Sequence, residues 1–303
     1  MAAKIIDGKQ VAASIRLECR TRVAALHAKA GVTPGLAVIL VGDNPASAVY
    51  VASKIKACAE AGMRSLRKQY PASVDEETLI GTIDELNRDP NVHGILVQLP
   101  LPPHIDMRRV LKTIDARKDV DGFHLYNVGA LVVGDTVFPP CTPYGVVKLL
   151  EHEHIEVEGR NVVVVGASNI VGKPMALMLM QREATVSVCH VKTRDLAQYT
   201  ILADILVVAA GKPNLILPQM VKHGAVVIDV GINRLPDGRI VGDVDFEGVR
   251  QKASYITPVP GGVGPMTVTM LLFNTITSAE RTASAASGLP TREEEMVDTE
   301  EPV

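Results

Sequence analysis

Tyr50 and Lys54 stand four residues apart in a stretch with helical patterning, residues 47–61, so both side chains project from one face. Together they offer a flat ring and an amine that can carry a proton. Gln98 lies near the end of an apolar run, residues 94–99, just before Pro100. An amide at such a point must find a polar partner or face a cleft. Asp119 and Asp121 follow in the loop KDVDGF. Spacing alone also permits a plainer reading, in which the lysine is solvated and the tyrosine packs beside it.

A second group of residues suits an anion. The apolar run 161–165 (NVVVV) leads into Gly166-Ala167-Ser168-Asn169-Ile170-Val171-Gly172, and a helical pattern begins near Pro174. A strand, a glycine-bearing turn and a helix start aim free backbone N–H groups and the helix dipole at one point. That point suits the pyrophosphate of a dinucleotide. The turn departs from GxGxxG because Ser168 stands at the middle glycine, and an ordinary strand-to-helix turn is the alternative. The next strand candidate ends in Cys189-His190-Val191-Lys192-Thr193-Arg194, with no carboxylate before Asp195. A carboxylate there would repel a 2′-phosphate, whereas His190, Lys192 or Arg194 attracts one, which tilts the cofactor towards NADP. Gly231 and Ile232 follow the strand candidate 225–230, again at a strand end where ligands gather in open α/β sheets.

The elements that must carry these residues alternate between apolar runs and helical patterns, the signature of α/β architecture with mostly parallel sheets. In the first half, strands are expected at 36–41, 65–70 and 94–99, and helices at 9–30, 47–61 and 75–87. In the second half, residues 161–165, 185–189, 205–209 and 225–230 read as strands buried on both faces. Helices are expected at 173–181 and 218–222, and a longer one at 267–281 that packs back on the first half. The proline-rich FPPCTP (138–143) marks the junction between halves, although Thr142-Pro143 can also open a helix over 144–153.

The 303 residues are enough for two domains, and 47% hydrophobic against 21% charged residues excludes a mainly disordered chain. Aromatics at 3%, with no tryptophan, disfavour a base-stacking platform, and a net charge of −3 offers no basic footprint for nucleic acid or membrane. Cys19, Cys58, Cys141 and Cys189 lie far apart without CxxC spacing, so neither a metal site nor a disulfide framework is expected. MAAKIIDGKQ reaches Asp7 before an apolar run can form, and no run is long enough to span a membrane. A cytoplasmic protein acting on small molecules is expected. Residues 291–303 hold six acidic residues against one arginine and read as a solvated, disordered tail.

Seven blocks taken in order resemble the bifunctional methylenetetrahydrofolate dehydrogenase/methenyltetrahydrofolate cyclohydrolase family. They are YVASKIKAC (50–58), GILVQLPLP (94–102), DVDGF (119–123), PCTP (140–143), GASNIVG (166–172), DVGIN (229–233) and TPVPGGVGPMT (257–267). The resemblance implies an α/β substrate domain over residues 1–140 with a returning helix at 267–283. It also implies a Rossmann-type dinucleotide-binding domain over 141–266, a cleft between the two and a homodimer; the resemblance ends near Arg281, and residues 284–303 are expected, from composition, to form the acidic tail. It makes Lys54 the catalytic lysine, Gln98 its orienting partner, Tyr50 the platform for the folate rings and Asp121 the acid for the pterin edge. Val51, Ala52, Ser53, Val97, Leu99, Pro260, Gly261, Gly262, Val263 and Gly264 complete the expected folate wall. Gly166, Ala167, Ser168, Ile170, Val171, His190, Lys192 and Ile232 are the expected cofactor residues. Many members carry arginine at the position of Ala167 and serine or arginine at Val191. Both are missing here, so His190 and Lys192 are the charges left for a 2′-phosphate; NADP is expected, with NAD the alternative.

The implied reactions are oxidation of 5,10-methylenetetrahydrofolate to 5,10-methenyltetrahydrofolate and hydrolysis of the product to 10-formyltetrahydrofolate. A dehydrogenase without the hydrolytic step, and a nucleotide-sensing module without catalysis, are the rival readings.

Overall fold

The computed structural model describes residues 2–287. In chain order its elements are β1 (Lys4–Ile5), α1 (Gly8–Ala30), β2 (Gly35–Val41), α2 (Pro45–Glu60), β3 (Arg64–Tyr70), α3 (Glu76–Arg88), β4 (Gly94–Val97), α4 (Met107–Thr113), α5 (Leu125–Val133) and α6 (Cys141–His152). There follow β5 (Asn161–Val165), α7 (Gly172–Met180), β6 (Thr185–Cys189), α8 (Leu196–Thr200), β7 (Ile205–Val208), a 3₁₀ turn (Pro218–Met220), β8 (Val226–Asp229), β9 (Asn233–Arg234), β10 (Ile240–Val241), α9 (Phe246–Arg250), β11 (Tyr255–Ile256) and α10 (Val263–Ser287). By internal contacts the chain divides into two units. One joins Arg16–Asn127 to the described residues from Leu271 on; the other joins the residues up to Ile15 to Val128–Met270.

In the unit that contains Arg16–Asn127, a parallel three-stranded sheet has the order β3-β2-β4. Every residue of β2 is buried, because strands flank both its edges and apolar layers cover both its faces. Asp75 caps α3 by accepting the Thr78 N–H (2.8 Å), and the buried stripe Leu79, Ile83 and Leu86 packs with Ile39, Val41, Ile95 and Val97 in one core. The later residues of α10 join the same unit. Asn274 Nδ2 donates to the Val120 carbonyl (2.8 Å), Ser278 Oγ to the Arg117 carbonyl (2.8 Å), and Arg22 pairs with Glu280 at 2.7 Å.

The other unit holds a parallel six-stranded sheet, β1-β11-β8-β7-β5-β6. From β5 the chain passes to β6 on one side and then crosses to β7 on the other, which makes a topological switch point at the C-terminal ends of β5 and β7. β7 and β8 are buried throughout and β5 all but its first residue, as their apolar runs require.

Three expectations need correction here. β6 is not buried on both faces: it is an edge strand paired only with β5, and only Cys189 is buried. Residues 218–222 form no α-helix beyond the 3₁₀ turn, because Val221 returns to extended backbone (φ −110°, ψ 136°) before β8. The junction prolines also open a helix earlier than expected. α6 starts at Cys141, and Pro143 falls in its first turn, where a missing N–H costs nothing. Of the expected tail 284–303, residues 284–287 continue α10, and the rest lies outside the described residues.

Candidate active site

α2 begins at Pro45, with the Asn44 side chain accepting the Ser47 N–H (3.2 Å), and carries Tyr50, Lys54 and Cys58 at successive turns. Lys54 is only 8% exposed, and its Nζ donates to Gln98 Oε1 at 3.0 Å. The amide cannot turn over freely, since Gln98 Nε2 donates to the Leu99 carbonyl (2.8 Å) and the Gln98 N–H to the Ile39 carbonyl (2.9 Å). The oxygen is thereby aimed at the lysine. Tyr50, one turn earlier, is 39% exposed and able to present its ring. Cys58 is fully buried, and burial pushes its thiol up to about 12, which makes it a packing group and not a nucleophile. Of the other expected wall residues, Val51 and Val97 point into the core, Ala52 and Ser53 are exposed and Leu99 is half-buried. Val51 and Val97 can therefore serve a ligand only through backbone.

The loop with Asp121 is fastened to β4, the strand that ends at Gln98. Ile95 N–H donates to the Lys118 carbonyl (2.8 Å), and Val120 packs on Gly94, where a Cβ would stand 2.8 Å from its Cγ2. Asp119, whose side chain the motif alone left without a role, holds the turn. It is buried, and its Oδ2 accepts the His124 N–H (2.7 Å) and Asn127 Nδ2 (2.8 Å). Burial pushes its carboxyl up against these donors. Gly122, at φ +74°, completes the turn after half-buried Asp121.

In the sheet-bearing unit, the expected cofactor residues gather along one edge. Gly166 follows β5 and donates to the Cys189 carbonyl at the end of β6 (2.9 Å), so the 166–172 turn and the His190–Arg194 turn are neighbours. A Cβ on Gly166 would stand 2.2 Å from the Ala209 carbonyl oxygen, and one on Gly172 would stand 1.9 Å from that of Gly166. Both glycines are required by close backbone approach. The anion site differs in detail from the expected helix start. Ser168 Oγ accepts the N–H groups of Val171 (3.1 Å) and Gly172 (3.4 Å), and the Lys173 N–H goes to the Ser168 carbonyl (3.0 Å). The residue at the middle glycine position thus takes up two N–H groups at the entry to α7 itself. Among the described residues, the backbone N–H groups of Ala167, Ser168, Asn169 and Ile170 have no protein acceptor, and they are the donors left for a phosphate.

His190, Lys192 and Arg194 are exposed beside this turn, while Val191 is 95% exposed and carries no charge. His190 Nδ1 accepts the Lys192 N–H (3.1 Å), which leaves Nε2 as a donor for an anion. The strand ends continue with Ala209–Lys212 after β7 and with Gly231 and exposed Ile232 after β8. Residues 260–264, the last two already in α10, belong to this unit. A Cβ on Gly8 would stand 1.8 Å from the Gly262 carbonyl oxygen, and one on Gly264 would stand 3.9 Å from Ile232 Cδ1. Free backbone donors, glycine-lined contacts and nearby cations fit a phosphorylated dinucleotide. Asp243, which spacing gives no reason to single out, lies beneath the edge with its carboxylate on the 210–212 turn.

Among the described residues, no group of three or more His, Cys, Asp or Glu is placed to hold a metal ion, and no helix is long and apolar enough to cross a membrane. A family model of the tetrahydrofolate dehydrogenase/cyclohydrolase catalytic domain matches residues 6–121, and that of the NAD(P)-binding domain matches residues 140–283. The chain is 60% identical over 288 residues to the bifunctional protein FolD of Nitrosospira multiformis, covering 95% of this chain and 100% of that protein. It is similar to the solved structure of the bifunctional enzyme FolD, a methylenetetrahydrofolate dehydrogenase/cyclohydrolase, from Campylobacter jejuni. That match has 55% identity and a TM-score of 0.91, and covers 93% of this chain and 100% of that one. The Trypanosoma brucei methylenetetrahydrofolate dehydrogenase-cyclohydrolase, solved with NADP cofactor and an inhibitor, is 42% identical. Its TM-score is 0.90, with 93% and 99% of the two chains covered.

Proposed function

The chain belongs to the tetrahydrofolate dehydrogenase/cyclohydrolase family, and from that premise we propose that it oxidises 5,10-methylenetetrahydrofolate with NADP⁺ and hydrolyses the resulting 5,10-methenyltetrahydrofolate to 10-formyltetrahydrofolate. The observation that carries the reading is the pairing of buried Lys54 with half-buried Gln98, an amine held in a fixed direction on a helix that also presents Tyr50.

The two steps ask different things of the chain. NADP⁺, when bound, supplies a hydride acceptor. The methylene carbon sits between two folate nitrogens whose lone pairs stabilise the cation left behind, so no base has to remove a proton. Alignment is the main requirement. Tyr50 stacks on the folate rings, and Asp121 accepts from a ring N–H and the exocyclic amine of the pterin edge, a bidentate contact that fixes orientation.

Hydrolysis needs proton movement. Water adds to the methenyl carbon, and the adduct collapses by breaking one carbon–nitrogen bond, leaving the formyl group on N10. Lys54 takes a proton from the attacking water and returns one to the departing nitrogen, with Gln98 holding the amine in line. The backbone donors of residues 167–170 receive phosphate oxygens of the cofactor, and His190 and Lys192 receive its 2′-phosphate.

In this reading residues 1–140 with the 267–283 helix handle the folate, and residues 141–266 handle the cofactor. A cytoplasmic location and a homodimer belong to the same proposal, and the homodimer rests on the family resemblance alone. The test is a paired assay, in which the protein and 5,10-methylenetetrahydrofolate are mixed with NADP⁺ or NAD⁺ and reduced cofactor and 10-formyl product are followed together. Reduction with NADP⁺ and 10-formyl formation above the uncatalysed rate are expected. Reduction with NAD⁺ only would shift the cofactor assignment, and no turnover with either would overturn the reading.

A further inference from the structure

The edge that receives the cofactor is built from backbone, so something must hold that backbone still. After β7 the chain turns through Ala210, Gly211 and Lys212, and all three amides end on one carboxylate. Asp243 Oδ2 accepts from Ala210 (2.6 Å) and Gly211 (2.8 Å), and its Oδ1 accepts from Lys212 (2.9 Å) and from Asn233 Nδ2 (2.8 Å). The residue is 0% exposed. Its own N–H donates to Asp229 Oδ1 (3.0 Å), which also accepts from Gly231 (2.9 Å), while Asp229 Oδ2 accepts from Val244 (3.0 Å). One buried carboxylate thus ties the end of β8 to the chain after β10, and the second reaches from there to the turn after β7.

The fit leaves no slack. A Cβ on Gly231 would stand 2.3 Å from Asp243 Cγ, and one on Gly242 would stand 1.9 Å from Asp229 Oδ2. The turn so held begins at Ala209, whose carbonyl oxygen closes on Gly166 across the switch point. With His190 and Lys192 placed after β6 for the phosphorylated ribose, the other end of an extended dinucleotide runs towards β7 and β8.

We propose that Asp243 is a positioning residue for the dehydrogenase reaction: its four accepted hydrogen bonds set the 210–212 turn and Asn233 so that the ends of β7 and β8 receive the nicotinamide half of the cofactor. Asp243 acts through backbone and through Asn233, without touching the cofactor. The inference rests on the dehydrogenase reading above.

Asp243→Asn tests it. The amide nitrogen replaces one accepting oxygen and turns a donor towards N–H groups that need an acceptor. NADP⁺ binding is titrated calorimetrically in the wild type and the variant, with the dehydrogenase KM for NADP⁺. Hydrolysis of 5,10-methenyltetrahydrofolate is assayed in the same preparations without nucleotide. The expected result is a fall of about tenfold or more in NADP⁺ affinity, with hydrolysis within about twofold of wild type. Unchanged affinity and KM, or an equal loss of hydrolysis, would overturn the proposal. If Asp243→Asn does not fold, Asn233→Ala decides, because it removes one donor and leaves the carboxylate. A smaller loss of NADP⁺ affinity supports the proposal, and none overturns it. Failure of the wild type to reduce either nucleotide would instead count against the dehydrogenase reading, and the binding titration still reports on Asp243.

Discussion

The folate-side and cofactor-side regions are built by opposite means. Around Lys54 the groups we propose to work are side chains: an amine, an amide that points at it, a phenol one turn away, and a carboxylate on a loop fastened to the strand that ends at Gln98. Along the ends of β5 to β8 the groups proposed to meet the cofactor are mostly backbone N–H donors, and the carboxylates of Asp229 and Asp243 lie behind them as buried acceptors. The difference follows from the chemistry. Moving protons during hydrolysis needs a group that can gain and lose one, whereas holding a phosphorylated cofactor for hydride transfer needs shape and fixed dipoles. The two regions should therefore fail separately.

The largest effect is expected from Lys54→Met, which keeps the apolar stem and removes the amine. Hydrolysis of 5,10-methenyltetrahydrofolate should fall about 10³-fold, the usual scale of a lost acid–base group, in a stopped-flow assay. Gly172→Ala strikes the other region. Its Cβ would meet the Gly166 carbonyl oxygen at 1.9 Å, backbone against backbone, so the 166–172 turn must move. A loss of about 3 kcal/mol in urea unfolding is expected, with NADP⁺ binding lost first.

Asp229 offers a pH signature of the cofactor edge. Burial, reinforced by the charge of Asp243, pushes its carboxyl up to about 6 against three backbone donors. The unfolded group titrates near 4, so between these values the folded chain binds more protons than the unfolded one. Stability from this group is therefore full below about pH 4 and lost as pH rises through about 6, a cost of about 3 kcal/mol at neutrality. Asp229→Asn removes that dependence. Its stability relative to wild type should rise by about that amount between pH 4 and 7, read by urea unfolding at both, whereas a flat difference would contradict the burial effect. The smallest effect is expected from Lys192→Ala, which should raise the KM for NADP⁺ about tenfold and leave that for NAD⁺ unchanged.

The same contrast explains what could be read from sequence. Spacing only singles out Lys54 and Gln98, and their proposed roles come from the family resemblance, whereas β2 and β5 are legible because apolar runs of that length have one good use. β1, β9, β10 and β11 are two residues each and exist through their pairing partners, so no local pattern announces them. The exposure of β6 depends on its place at the sheet edge, which its valines do not encode. Ser168 reads as a departure from a glycine fingerprint until its hydroxyl is seen accepting the Val171 and Gly172 N–H groups at the entry to α7. Asp243 is silent for a deeper reason: its four donors come from the turn after β7 and from Asn233, so only the closed sheet brings them together.

The division of labour is tested most directly by following both reactions in one preparation of Lys54→Met whose folate binding has been verified by titration. The account predicts that hydrolysis is lost while NADP⁺-dependent oxidation of 5,10-methylenetetrahydrofolate stays within about tenfold of wild type. Equal loss of both activities with folate still bound would contradict it, and would mean that Lys54 serves the hydride step as much as the hydrolytic one.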